Sequence, residues 1–322
     1  MKQVNPRYIP LFATAVVMIG LFLLGAFQFP NFGSLRVVIN LFGDNAFLGV
    51  AAIGATFVIL SGGIDLSVGS VVAFTGILIA SLVGHGCDPR LALLTAVLIG
   101  SAFGAGTGWL IHAFELPPFL VTLGGMFLMR GLSFVVHDQS LAIKHPFYSE
   151  TIASLAMPLG PRLSIPFTAV CLVFAVTAAT FISVYTRFGR NVYALGSDEA
   201  SARLMGVPVG RTKVMIYALA GCFSALGGCV ATCYMQSGNP ASFVGLELDA
   251  IAAVVIGGTL LTGGVGFVPG TLMGVLILGL IQTLITFQGN LNTWWTKIAV
   301  GVLLLLFIVL QKVISARAEA QR

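Results

Sequence analysis

Residues 45–83 read NAFLGVAAIGATFVILSGGIDLSVGSVVAFTGILIASLV, two apolar runs of near-membrane length with one charged residue, Asp65, between them. A bilayer core about 30 Å thick needs about 20 apolar residues in helical form, and it holds no water to satisfy free backbone groups. Runs of this kind are therefore read as membrane-crossing helices. The join, 61–70, has almost no loop. The adjacent glycines Gly62 and Gly63 weaken the helix there, and Asp65 can cap the helix that follows. Irregular backbone at membrane depth is tolerated only against protein or a water-filled path, and a carboxylate there is a functional candidate. On that reading Ser61, Gly62, Gly63 and Asp65 belong to a substrate path or its gate. The alternative is that Asp65 is a structural N-cap near the membrane interface.

The same pattern recurs along the chain. Apolar stretches lie at 9–29, 45–61, 66–83, 91–113, 119–136, 167–183, 214–233, 250–261, 267–287 and 294–310. The eighth is short for a span and is read as re-entrant or as borrowing flanking residues. Of the 322 residues 57% are hydrophobic and 8% charged, against about 25% charged in soluble domains. Too few charges are present to cover a water-soluble surface, which excludes a soluble enzyme, a disordered tail and a nucleic-acid-binding domain. The expected fold class is all-α, a polytopic transmembrane helical bundle of about ten spans. It is read as one membrane-embedded domain over 1–322, in contact with lipid and with no nucleic-acid partner. The run 9–29 is too long for a signal-peptide core and is read as an uncleaved first span.

Lys and Arg placement gives orientation. The segment 187–213 holds Arg187, Arg190, Arg203, Arg211 and Lys213; Lys2 and Arg7 precede the first span, and Lys312, Arg317 and Arg322 follow the last. With ten spans all of these fall on one side, the cytoplasm, with both termini. Arg36, Arg90, Lys144 and Arg162 fall on the other.

The inner segment is punctuated as a surface helix of about 8 residues. Ser197 suits its N-cap, Asp198 and Glu199 its first turn, Arg203 its end and Gly206 its C′ position, with Pro208 preventing continuation. Ala200 and Leu204, four apart, share a face. Such a helix either docks into a groove on a cytoplasmic partner or is an ordinary interfacial loop helix. The outer loop, 137–166, is either a lip for an external partner or a plain connection.

Other positions carry weaker signals. Segment 262–271 matches 61–70 in type at an offset of 201 residues, Ser61 with Thr262, Gly62 with Gly263 and Gly63 with Gly264. Paired glycine-interrupted segments point to a transport site between repeats. Here both copies run in the same direction, unlike a simple inverted repeat, and Asp65 corresponds to Gly266. Arg130, late in its span, is expected to snorkel outward. Glu247 and Asp249 precede the short eighth span at its outer end; they are read with Asp65 as substrate-path or gate residues lining an entrance, the alternative being that they mark the interface. Trp294 and Trp295 suit an aromatic belt. There is no phosphate-binding loop, no metal-ligand spacing among the four His, and no hydrolase pattern. Cys222, Cys229 and Cys233 share a helix face and are read as small-residue packing. No catalytic residue, metal or cofactor is expected, and the chain is not read as an enzyme.

Two classes of function survive: a path-forming subunit of a transporter powered by a separate ATPase, and an ion-gradient-driven secondary sugar transporter. Asp65 is almost the only group that could couple an ion at depth, which favours the first. Specific motifs then carry a resemblance: 60–70 (LSGGIDLSVGS), 117–124 (PPFLVTLG), Arg130-Gly131, 186–190 (TRFGR), 193–196 (YALG), Gly206-Val207 and 248–259 (LDAIAAVVIGGT). Over about 36–310 the chain resembles the permease subunits of bacterial ABC importers for ribose, xylose, galactose and related monosaccharides. Segments 44–49 (DNAFLG), 73–76 (AFTG) and 294–299 (WWTKIA) are similar to permeases of galactofuranose importers. The resemblance implies residence in the bacterial inner membrane, alternating access, a cytoplasmic ABC ATPase subunit, a second permease (a paralog or a second copy) and a periplasmic sugar-binding protein. It also implies that Ser197, Asp198, Glu199, Ala200, Arg203, Leu204 and Gly206 lie in the region that couples to the ATPase.

Overall fold

The computed structural model describes residues 9–160, 163–289, 292 and 294–320. Lys2, Arg7, Arg162 and Arg322, used for orientation, lie outside them, as does the side chain of Arg317. The helices are α1 (Ile9–Gln28), α2 (Leu35–Asp44), α3 (Ala46–Leu60), α4 (Val68–Gly84), α5 (Pro89–Ala113), α6 (Pro118–Val136), α7 (Ile152–Ser154), α8 (Phe167–Tyr185), α9 (Arg187–Ser197), α10 (Glu199–Leu204), α11 (Val209–Met235), α12 (Leu246–Ile256), α13 (Val268–Gln288) and α14 (Trp294–Ala320). Each of the ten apolar stretches forms a helix. Among the described residues seven helices have spanning length and composition, and α2 with α3, bent by 56°, make an eighth. Helices α4 and α12, with 17 and 11 residues, fall short.

Two features depart from the sequence reading. Helix α2 was not expected, because Arg36, Asn40 and Asp44 interrupt its hydropathy; it continues α3 backwards across the bend. The chain is also not purely helical. Strand β1 (Leu141–Ala142) pairs antiparallel with β4 (Ser237–Gly238), and β2 (Met157–Gly160) with β3 (Leu163–Ile165). The first pair joins the 137–166 loop to the end of α11.

Helix α11 is the central column, in contact with α3, α4 and α5. Its seam with α5 is built from glycine. Gly100, Gly104 and Gly108 repeat every four residues and so share one face. A Cβ on Gly108 would stand 2.9 Å from the Val214 Cα and 3.0 Å from the Lys213 carbonyl oxygen, and one on Gly104 would stand 2.9 Å from the Tyr217 carbonyl carbon. In lipid, helices gain from close backbone approach, which only small residues permit. Helix α3 is buried along nearly its whole length, as a helix apolar all round should be.

Helices α3, α5, α9 and α12 finish where α6 and α11 begin; α10 lies at this end of the bundle. Thr14 in the first half of α1 donates to the Ile256 carbonyl, and Gln311 in the second half of α14 donates to Val255 O at 3.0 Å. The outer parts of both terminal helices therefore sit at the α10 end.

Candidate functional site

The break after α3 is a glycine turn. Gly62 N–H donates to Ile59 O at 2.9 Å and Gly63 N–H to Val58 O at 3.0 Å, with Gly62 at φ +81°. This double bond through a left-handed residue closes helix ends efficiently, and glycine alone takes that φ at no steric cost. Helix α12 ends in the same way: Gly258 N–H reaches Val255 O at 2.9 Å and Thr259 N–H reaches Val254 O at 3.2 Å. The structural counterpart of Ser61-Gly62-Gly63 is therefore Gly257-Gly258-Thr259. The Thr262-Gly263-Gly264 match suggested by the 201-residue offset is corrected; type similarity among glycines does not fix which one closes a helix.

Residues 262–264 instead lie against the first turn, with Gly264 N–H donating to Leu60 O at 2.9 Å. The end of α9 completes the junction. A Cβ on Gly196 would stand 2.6 Å from Gly264 N and nearer still to Leu60 O. Tyr193 on α9 donates its hydroxyl to Gly266 O at 2.9 Å. Three backbone segments thus meet with no side chain between them.

A cavity of about 510 Å³ opens beside this junction. Ser61, Gly62 and Gly63 form one wall, the end of α5 with His112 another, and Glu199, Arg203, Lys213 and Tyr217 a third. The proposed path segment and the proposed coupling segment therefore share one space. Glu199 is the hub of its charge: Lys213 Nζ lies 2.8 Å away and an Arg203 guanidinium nitrogen 3.6 Å away. The Tyr217 hydroxyl is buried with no hydrogen-bond partner among the described residues, and lies where a side chain at Gly63 would have to go. Asp65 is 6% exposed and lies outside the cavity lining. Its Oδ1 accepts from Ser67 N–H at 2.8 Å and from the Ser67 hydroxyl at 2.6 Å, setting the start of α4.

The surface helix is shifted by one residue from its expected cap. Asp198 is the N-cap, accepting from Ala200 N–H at 3.1 Å and Ser201 N–H at 3.3 Å. Ser197 ends α9 and spends its hydroxyl on Tyr193 O at 2.9 Å. A carboxylate offers two acceptors to the two free N–H groups, which a hydroxyl cannot match. Helix α10 has six residues, shorter than expected. The Ser201 hydroxyl, then the Ala200 N–H, hold the Asp198 carboxyl below its ordinary range. Gly206 at φ +80° closes the helix, with Val207 N–H reaching Ala202 O at 3.0 Å. Ala202 is fully buried, while Ala200 and Leu204 face outward, Leu204 being 89% exposed.

Glu247 and Asp249 stand at the opposite end of the bundle, so the candidate path residues form two groups. Glu247 Oε1 accepts from Gly245 N–H at 3.1 Å, and its buried Oε2 has no partner among the described residues. Asp249 pairs with Lys297 at 2.6 Å. Arg130 does not snorkel. It donates to Pro240 O at 2.7 Å and Ser242 O at 2.6 Å, with Glu247 as its charge partner. Two backbone acceptors held by a turn outweigh an outward reach, and α6 is tied to the loop before α12.

Residues 37–308 match the family described as branched-chain amino acid transport system / permease component. The chain belongs to this permease family. The permease is 51% identical over 313 residues to the inner membrane ABC transporter permease protein YjfF of Escherichia coli K12, covering 95% of its own length and 92% of that relative. It is 38% identical over 291 residues to the ribose import permease protein RbsC of Bacillus subtilis 168, covering 89% and 88%. It is 36% identical over 319 residues to the fructose import permease protein FruG of Bifidobacterium longum, covering 98% and 94%. No solved structure matches it. With its apolar helices, the permease is a multi-pass inner-membrane protein and a component of ABC import machinery, and its relatives are transport subunits rather than enzymes.

Several residues of the permease site were not singled out from sequence. Gly196 appeared only inside a motif, Lys213 only as a positive charge, and His112 only as one of the four histidines without metal-ligand spacing. Lys213 and Tyr217 are four apart on α11, and that spacing could have placed both on the cavity face.

Proposed function

We propose that this permease forms the membrane path of a binding-protein-dependent ABC importer for a monosaccharide, galactofuranose in particular. It pairs with a second permease, a paralog or another copy of itself. The observation that carries the reading is the shared cavity, in which the α3 break and the Glu199–Lys213 pair of the coupling segment face each other. The α10 end is assigned to the cytoplasm on its density of Arg and Lys, and both termini with it. Support comes from Thr14 and Gln311, which are tied to the end of α12 there.

A loaded sugar-binding protein docks on the periplasmic face. Closure of the ATPase on ATP pushes against Ala200 and Leu204. The push passes through Gly196 to Leu60 and Gly264, opening one side of the path as the other closes. No covalent step occurs on this chain. The names of relatives for ribose and fructose import support a sugar over an amino acid, and segments 44–49 and 294–299 support galactofuranose.

The test is reconstitution with the ATPase, the second permease and the binding protein, followed by uptake of labelled galactofuranose and ribose with and without ATP. ATP-dependent uptake that needs every component is the expected result. Uptake by this chain alone that collapses with an ion gradient would overturn it in favour of secondary transport.

A further inference from the structure

A second cavity, of about 500 Å³, lies at the end of the bundle away from α10. Its place follows from its walls. It takes Asn45 and Phe47 from the start of α3, Tyr234 from the last turn of α11, Asp249 from the first turn of α12 and Thr286 from the last turn of α13. The inner cavity takes the opposite ends of α3 and α11. The volume falls within the about 300–1,000 Å³ that small-molecule sites span.

The lining decides the chemistry. Asp44 and Asp249 supply carboxylates, Asn40, Asn45 and Gln282 supply amides, and Tyr234 and Thr286 supply hydroxyls. Such groups facing hydrocarbon would be costly, so the cavity opens to water or to another polar surface. The side chains of Asn40 and Gln282 make no hydrogen bond among the described residues, which leaves two amides with both donors and acceptors unspent. Asn45 spends one donor on Leu41 O at 2.9 Å and has its amide seated over Gly279, where a Cβ would stand 2.8 Å from its carbon.

Charge is largely spent. Asp249 is neutralised by Lys297, and Asp44 accepts the Tyr234 hydroxyl at 3.0 Å. An anion would meet carboxylates and no unpaired cation of the lining, and a cation would find a single carboxylate already hydrogen-bonded. A neutral ligand rich in hydroxyls uses every group present: carboxylates accept, amides give and accept, and the aromatic bodies of Phe47 and Tyr234 cover its carbon–hydrogen surface.

We infer that this cavity is a transient receiving site for a neutral polyhydroxylated sugar on the outer face of the permease, gripped by Asn40, Asp44, Asn45, Asp249 and Gln282. The inference rests on the proposed sugar import. It adds a named site on one permease chain where the sugar pauses after leaving its binding protein.

The test uses the assembled importer in lipid nanodiscs without the binding protein. Thr286→Cys is labelled with a polar maleimide against the unsubstituted chain as blank, and the same preparation is assayed for ATP-driven uptake once the binding protein is restored. Galactofuranose or ribose at twice its Kd should slow labelling about threefold, and sodium or calcium chloride should not. Gln282→Leu, or Asn40→Leu should that fold better, should abolish the protection while labelling without sugar persists. If Thr286→Cys imports sugar yet shows no protection, the receiving site is overturned and the import reading stands. Protection by cations, or protection that survives both leucine variants, also overturns it. If no sugar is imported by any preparation, the import reading falls and the site with it.

Discussion

Gly196→Ala tests the three-way junction directly. The added methyl would stand 2.6 Å from Gly264 N and nearer still to Leu60 O, both backbone atoms that cannot swing aside. It also sits on the Gly264 N–H to Leu60 O bond of 2.9 Å. Losing a buried backbone hydrogen bond costs about 1–3 kcal/mol, and overpacking costs about 1–3 kcal/mol more. Alanine returns about 1 kcal/mol of helix propensity at the end of α9. The net, about 1–5 kcal/mol, is below or at the low end of the about 5–15 kcal/mol that holds a folded protein together. The chain should still reach the membrane, but with the α9 end parted from the α3 break. Taking the middle of that range, about 3 kcal/mol, the joined arrangement is disfavoured by about two orders of magnitude. Uptake per permease molecule, at matched membrane levels, should fall at least tenfold. Gly106→Ala, where a Cβ meets open space, is the control and should import normally. Wild-type uptake by Gly196→Ala at wild-type abundance would refute the idea that coupling passes through this contact.

Three further outcomes follow from the same geometry. Ala200→Trp and Leu204→Asp, both on the outward face of α10 while Ala202 anchors it, should abolish sugar-stimulated ATPase activity without lowering permease abundance. Arg130→Leu should release the loop before α12 and lower uptake about tenfold or more, since a charged group's hydrogen bonds contribute about 1.5–3 kcal/mol; Arg130→Lys should rescue it only in part, because one terminal guanidinium nitrogen meets both carbonyls and the shorter, more strongly hydrated lysine head must reach the same point. The Asp198 carboxyl is held below its ordinary value, so its stabilisation of α10 is fully present above the unfolded value of 3.8 and is lost as pH falls through the lower folded value. Coupling measured from about pH 5 upward should therefore show no step from this cap, whereas Asp198→Ala should weaken coupling at every pH and Asp198→Asn should preserve it.

How much was legible in the sequence depended on the kind of signal. Long apolar runs such as those of α5, α11 and α13 declared themselves, because crossing a bilayer leaves a composition that nothing else requires. Helix α2 did not, because Asn40 and Asp44 line the outer cavity and so break the pattern that identifies a span. Turn chemistry at 61–63 was readable, since paired glycines after an apolar run have few other uses. Its partner was misassigned to 262–264 because glycine spacing records neither which residue turns left-handed nor what lies across from it. Asp198 and Ser197 both suit a cap, and only the Tyr193 carbonyl four residues back decided between them. Arg130 was misread because its acceptors are backbone carbonyls 110 and 112 residues away, which leave no mark in the sequence. The two cavities were hidden for the same reason: each is assembled from the ends of helices far apart in the chain.

The glycine seam between α5 and α11 has a mechanical consequence. Where backbone rests on backbone there are no side chains to flex, so the two helices form a stiff rod rather than a cushion. At 27 residues α11 is about 40 Å long. It begins five residues after α10 and ends at Tyr234 and Met235 in the wall of the outer cavity. On a rod of that length each degree of tilt at the near end carries the far end about 0.7 Å. A few degrees of push beneath α10 are then enough to draw Tyr234 out of its 3.0 Å contact with Asp44. On the proposed reading, in which the ATPase pushes at α10 and the sugar is received in the outer cavity, α11 pivots at its near end and turns a small angle there into a large displacement at the far end.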